Sequence, residues 1–467
     1  MDRVTRRNAL QLASGCLLGA LAGCNTATVS TETTAGLPTT TETKTNAHGQ
    51  TPTATPTHTR GPIDPTVSEQ LIPDDGDRND GFGGAVALSS DGTTALVGAR
   101  RDEDPNGPGA GSAYVFAHED GTWSQQAKLV PEDGDKNDSF GSSVTLANDG
   151  ATALVGAHMD EDPNGPRAGS AYVFSRSDRD WDHQVKLVPP DGNPGDNFGL
   201  QLALSGDGTV ALVGAPSDSN SNGEGAGATY VFSLENSTWN REAKLAPSGG
   251  DANDEFGGSV ALSRDGTTAL VGAWRDDDAG AEFVGSTYVF SRTSDGWMHE
   301  AILAANDGEE DDFFGESVAL SSDGRTALIG AFGDGDPNGG DAGSAYVFSR
   351  ESQSWTREAK LVPEDGDENG HFGGAVALSG DGRIALLGAR GDENPNGEEA
   401  GSAYVFSATD GSWSQVVKIT PETGTAFDHF GASVALAGST PKALLGAPSD
   451  DTRTNGKGSG SAYVYDR

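Results

Sequence analysis

From residue 82 onward, short runs of small apolar residues alternate with polar, glycine-bearing stretches in one recurring order. Phe82 to Ser89 and Thr93 to Ala99 are two such runs, joined by Ser90-Asp91-Gly92. Asp-Gly between apolar runs predicts a tight β-hairpin. A polar loop, Arg100 to Ala110, leads to Gly111-Ser112-Ala113-Tyr114-Val115-Phe116, whose β-branched and aromatic side chains favour a third strand. A turn at Asp120-Gly121 and the run Trp123 to Val130 predict a fourth.

The unit then repeats. Phe-Gly stands at Phe82, Phe140, Phe198, Phe256, Phe314, Phe372 and Phe430, each interval being 58 residues. Tyr114 and Trp123 recur at the same step, and only the last tyrosine, Tyr463, slips by one residue. Seven repeats of four antiparallel strands predict an all-β fold, a seven-bladed β-propeller of four-stranded blades. The chain ends just after the third strand of repeat seven, while Leu71 sits 58 residues before Leu129. The strand around Ser68 to Ile72 is therefore expected to complete the last blade, which closes the ring and removes an exposed edge. In such blades the loops between strands two and three share one face, the loop face, with the connections between blades. The Asp-Gly turns occupy the opposite turn face.

Phe-Gly, a hairpin, Gly-Ala-Pro, Gly-Ser-Ala-Tyr-Val-Phe and a Trp-bearing fourth strand resemble the FG-GAP repeats of integrin α-subunit propellers and of many secreted microbial proteins, over residues 66 to 467. The proline is present only at Pro216 and Pro448, with Arg100, His158, Trp274, Phe332 and Arg390 in its place elsewhere. Calcium-binding repeats of integrins carry an acidic loop between the first two strands. Here that place holds only Ser90-Asp91-Gly92 and its copies, so those ligands do not carry over.

The N-terminal part reads differently. Arg6 and Arg7 precede an apolar run ending Leu21-Ala22-Gly23-Cys24, which resembles the twin-arginine signal and lipoprotein processing box of a haloarchaeal exported lipoprotein. On that reading residues 1–24 are a signal, Cys24 bears the lipid, and the protein is anchored at the outer face of the cytoplasmic membrane. Residues 25–65 include fifteen threonines between Thr26 and Thr59 and almost no large apolar side chains, the composition of an extended stalk. The propeller occupies residues 66–467. Asn137 and Asn236 begin short N-glycosylation motifs.

Charge then narrows the partners. The chain has 70 acidic and 30 basic side chains, a net of −40, which excludes nucleic acid because phosphate binding needs a basic footprint. The acids crowd the two sets of loop-face segments, so that rim is expected to be strongly negative. Halophilic solvation is one reading of it. Cation binding is the other, because Asp102-Glu103-Asp104-Pro105-Asn106-Gly107 offers oxygens at alternate positions like the start of an EF-hand loop. Asp160, Asp162 and Asn164, and Asp334, Asp336 and Asn338, repeat the pattern, and Ca²⁺ is the candidate ion.

The repeat accounts for all but five of the aromatic residues, the exceptions being Trp274, Phe283, Phe313, Phe332 and Phe427. Trp274 and Phe332 hold equivalent positions in neighbouring repeats and are candidates for a stacking platform, against the plainer reading that they fill gaps between blades. No Ser/His/Asp set or His-rich metal spacing appears, so no enzyme is expected. The sequence thus points to a cell-surface binding or adhesion module for an extracellular protein or glycan. A lyase or hydrolase using rim carboxylates is the alternative.

Overall fold

The computed structural model describes residues 63–65, 68–103, 105–161, 163–247, 249–277, 281–335, 337–352, 354–452 and 454–466. The expected signal with Arg6, Arg7 and Cys24, nearly all of the stalk, and Asp104, Asp162 and Asp336 lie outside them.

Twenty-eight strands form seven four-stranded antiparallel sheets among the described residues. In blade one, β2 (Phe82–Leu88), β3 (Thr94–Ala99), β4 (Ser112–Glu119) and β5 (Thr122–Leu129) pair in that order. The third strand runs three residues past the expected Phe116, because a bulge between Val115 and Phe116 re-aims the strand and lets pairing continue to Glu119↔Thr122.

Ring closure is as expected. The last blade combines β26 (Ser433–Leu436), β27 (Ala443–Ala447) and β28 (Ser461–Tyr465) with β1 (Ser68–Leu71), which lies antiparallel to β28 from Ser68↔Tyr465 to Leu71↔Ala462. Leu71 is buried, and the Gln70 amide donates to Asp450 at 3.1 Å, Ser461 Oγ at 2.8 Å and Tyr463 at 3.1 Å.

The repeated aromatics explain the wedge between blades. Phe140 stands edge-on to Tyr172 and Phe174 of its own blade, with centroids at 5.5 and 6.0 Å, and also joins Val115 and Leu129 of the preceding blade. The glycine that opens each third strand allows this approach: a Cβ on Gly111 would lie 2.0 Å from the Phe140 carbonyl oxygen. On the turn face, Ser90, Asn148, Gly206, Arg264 and Ser322 each donate a backbone N–H to the carbonyl of the next turn, and Ser439 donates to Ser90. A hoop of peptide groups thus runs around that end, interrupted between Gly380 and Ser439. Its Asp-Gly turns are braced internally, as where Asp91 accepts from Ser89 Oγ at 2.7 Å and Thr93 N at 3.0 Å.

Candidate functional site

The loop face is built by stitching neighbouring blades together. The N–H of Ser139, just before Phe-Gly in blade two, donates to Gly109 O in the long loop of blade one. Asn197, Glu255, Phe313, His371 and His429 make the same bond to Arg167, Gly225, Phe283, Asp341 and Glu399. Both partners of every pair have a positive φ, for example 56° at Phe313 and 57° at Phe283. A non-glycine residue pays about 1–2 kcal/mol for this conformation, and the inter-blade ladder offsets that cost. The backbone is therefore constant while the side chains at these positions vary.

Twelve aspartates from the acidic segments are buried, so the rim is not simply a solvated surface. They fall into two rows. Asp80, Asp138, Asp196, Asp254, Asp312 and Asp428 each accept the backbone N–H three residues earlier at 2.5–2.7 Å. The second row begins the long loops. Asp102 accepts from the Tyr114 hydroxyl at 2.5 Å and meets Lys128 Nζ at 3.0 Å, and Asp160 binds Tyr172 and Lys186 at 2.7 and 2.8 Å. Asp334 does the same with Tyr346 and Lys360 at 2.8 and 2.7 Å. Burial first, then the repulsion of Asp160 and Asp135, raises Asp138 to about 6 against the opposing loop hydrogen bond. In blade four the lysine is replaced by Ile302, and there burial first, then the repulsion of Asp276 and Asp251, raises Asp254 to about 7.

The predicted calcium residues are placed by this network. Asp102, Asp160 and Asp334 turn inward onto Tyr and Lys, whereas Asn106, Asn164 and Asn338 donate their amides to the carbonyls of Pro131, Pro189 and Pro363 at 2.9–3.1 Å. The first aspartate of each set is thus already bound to an ammonium group, and the middle one, Asp104, Asp162 or Asp336, lies outside the described residues. Among the described residues no group of three or more His, Cys, Asp or Glu is arranged to hold a metal.

Trp274 and Phe332 do come together, through a third ring. Phe313 stacks on Phe332 at 5.0 Å and 10° and meets Trp274 edge-on at 5.6 Å, while Phe283 stacks on its other side at 6.1 Å. His371 extends the strip edge-on to Phe332 at 5.5 Å. Arg275 lies over Trp274 at 4.4 Å and Arg390 over Phe332 at 5.9 Å. Trp274, Phe283, Phe313 and Phe332 all remain half-buried. Phe427, the fifth exception, is 49% exposed and makes no ring contact among the described residues.

The residue after each Gly-Ala folds over the start of its inner strand. His158 Nδ1 lies 3.0 Å from Ser142 Oγ, and a Cβ on Gly258 would meet the Trp274 ring at 2.6 Å. Arg100, His158, Pro216, Trp274, Phe332, Arg390 and Pro448 therefore ring the mouth of the central tunnel in blade order. Glu316, also at an inner-strand start, is raised to about 7 by burial, opposed by Arg390. Beside the aromatic strip, past the Arg275–Glu255 ion pair at 2.8 Å, lies a polar cavity of about 380 Å³ lined in part by Asn193, Ser217, Ser219, Glu224, Asn253 and Glu255.

The FG-GAP repeat profile matches residues 66–116, 123–174, 181–232, 239–290, 297–348, 355–406 and 413–465. The chain belongs to the FG-GAP repeat family. No curated protein matches it closely enough to lend a function. Among the seven repeats of this chain the site positions are the ones that vary, so the family accounts for the ring and the residues of this chain must account for what the ring holds.

Proposed function

We propose that this FG-GAP propeller is a binding or adhesion module that takes an extracellular protein or glycan on its loop face, displayed at the cell surface by a lipid on Cys24. The observation that carries the reading is the half-exposed aromatic strip from Trp274 through Phe313 to Phe332, in a face where the repeat itself calls for no aromatic. Aromatic and arginine side chains dominate binding energy where they can be desolvated. The test is a glycan and protein array in molar KCl with wild type and W274A/F332A. Ligands lost in the double variant at unchanged melting temperature support the reading, and an identical array profile refutes it.

For calcium, the support is the acidic composition of the loops, and against it stands the lysine that already meets Asp102, Asp160 and Asp334. Titration of the folded protein with CaCl₂ in high KCl separates the two: saturable heat with a raised melting temperature supports the ion. The alternative reading, a carbohydrate-active enzyme, draws on Glu316, whose pKa near 7 suits a general acid. Turnover on a polysaccharide panel, abolished by E316Q, would establish it.

A further inference from the structure

Two of the seven blades place an arginine directly after Gly-Ala on this acidic disc. Arg100 and Arg101 stand at the tunnel mouth in blade one, and Arg390 in blade six is separated from them only by Pro448 of blade seven. Partial desolvation and the neighbouring charge of Arg101 both lower the Arg100 pKa, and no carboxylate offsets them. Among the described residues its guanidinium has no ion pair or hydrogen bond, although the chain carries 70 acidic side chains. His158 next to it is driven down to about 4 by burial and by Arg100 and Arg167, so it stays neutral and leaves the positive charge to the arginines. The inner-strand starts beneath this arc are Gly374, Ala432, Gly84 and Ser142, small residues that leave room above them.

We propose that the tunnel mouth binds a carboxylate-bearing saccharide, with Arg100 and Arg390 taking the carboxylate and the Trp274–Phe332 strip and the adjoining polar cavity taking the sugar rings. This rests on the loop-face binding reading and names its ligand class. A guanidinium offers a planar fork that matches a carboxylate, and charge-assisted bonds of this kind are about twice as strong as neutral ones. The aromatic rings suit the apolar face of a pyranose. The surrounding Asp and Glu side chains are acceptors, which sugar hydroxyls satisfy by donating, whereas an acidic peptide would bring mainly further acceptors. A cationic partner would meet Arg100 and Arg390 first. The repulsion of the acidic rim is short-ranged in salt, with a Debye length of about 3 Å at 1 M, so the local arginines decide.

The test is calorimetric titration in molar KCl with tri-galacturonate, its neutral counterpart galactotriose, and inorganic sulfate, on wild type, R100Q/R390Q and W274A/F332A. The expected result is binding of tri-galacturonate that weakens at least tenfold in either variant, with little binding of sulfate. Both arginine side chains are exposed, so their replacement should leave the melting temperature unchanged. Galactotriose bound equally well, with no effect of R100Q/R390Q, overturns the carboxylate assignment but keeps the binding face. No saccharide binding, with a protein ligand still lost in W274A/F332A, overturns the saccharide inference alone. No dependence of any ligand on these residues removes both.

Discussion

Replacing Lys186 by Met probes the buried aspartates directly. Its ammonium lies 2.8 Å from both Asp160 and Asp133 and 5.3 Å from the centre of the Tyr172 ring. The Asp160 side chain is only 4% exposed, and removing the cation leaves a buried carboxylate next to Asp138. Breaking such a pair costs about 3–5 kcal/mol when both partners are buried. Lys186 itself is 16% exposed and Asp133 47%, so the second pair adds little, solvent screens the first, and the net cost is expected just below that range, about 2–3 kcal/mol. Without the lysine, Asp138, already raised to about 6 with Lys186 opposing the rise, should be pushed up further. A raised carboxyl pKa penalises the fold as pH climbs from the unfolded value through the folded one. The penalty should therefore be full at pH 8 and at least halved at pH 5. Urea unfolding in molar KCl, followed by tryptophan fluorescence at both pH values, reads it. No loss at pH 8, or a loss that grows on acidification, would refute the reasoning. The reciprocal change, I302K in blade four, should stabilise.

Wild-type stability should itself decline with pH: Asp80, Asp138, Asp312 and Asp428 at about 6 and Asp254 at about 7 favour the fold below about pH 4, and that contribution is lost through pH 6–7. Asp133, held low by Lys186 against its burial, loses stability only in more acid solution, so melting temperature across pH 3–8 should peak near pH 4–5, and D138N should flatten the decline. G141A and G121A form a second pair: both glycines have positive φ, 84° and 82°, but a Cβ on Gly141 would lie 2.2 Å from Ser112 O while Gly121 has open space. Chemical denaturation should show about 1 kcal/mol lost for G121A and a clearly larger loss for G141A. Deleting Ser68–Pro73 should lower the melting temperature sharply and expose the β28 amides to hydrogen exchange, since Leu71 and the Gln70 bonds clasp the ring.

The ring was legible because a 58-residue step leaves one consistent place for each strand, and the missing fourth strand of blade seven had a matching leucine at the other end. The buried aspartates are hidden when the loop acids are read only as a charged rim. Their signal was positional: Asp80, Asp138, Asp196, Asp254 and Asp312 keep the same step as Phe-Gly, as do Lys128, Lys186 and Lys244. A solvated acid has no reason to hold register, whereas one that closes a loop or meets a lysine does. Trp274 and Phe332 could be singled out as departures from the repeat. That Phe313 joins them depends on a left-handed backbone bringing the residue before Phe-Gly against the next blade's loop, which periodicity does not reveal.

The hoop on the turn face has a consequence for the electric field of the disc. Each peptide group carries a dipole of about 3.5 D, and in a helix these align and leave charge at the two ends. Around the hoop they point along the tangent, from Ser90 through Asn148, Gly206, Arg264 and Ser322, so their vector sum largely vanishes and no pole projects along the axis. The backbone thus makes that end of the propeller electrically quiet, and the potential felt by an approaching molecule there comes from side chains alone.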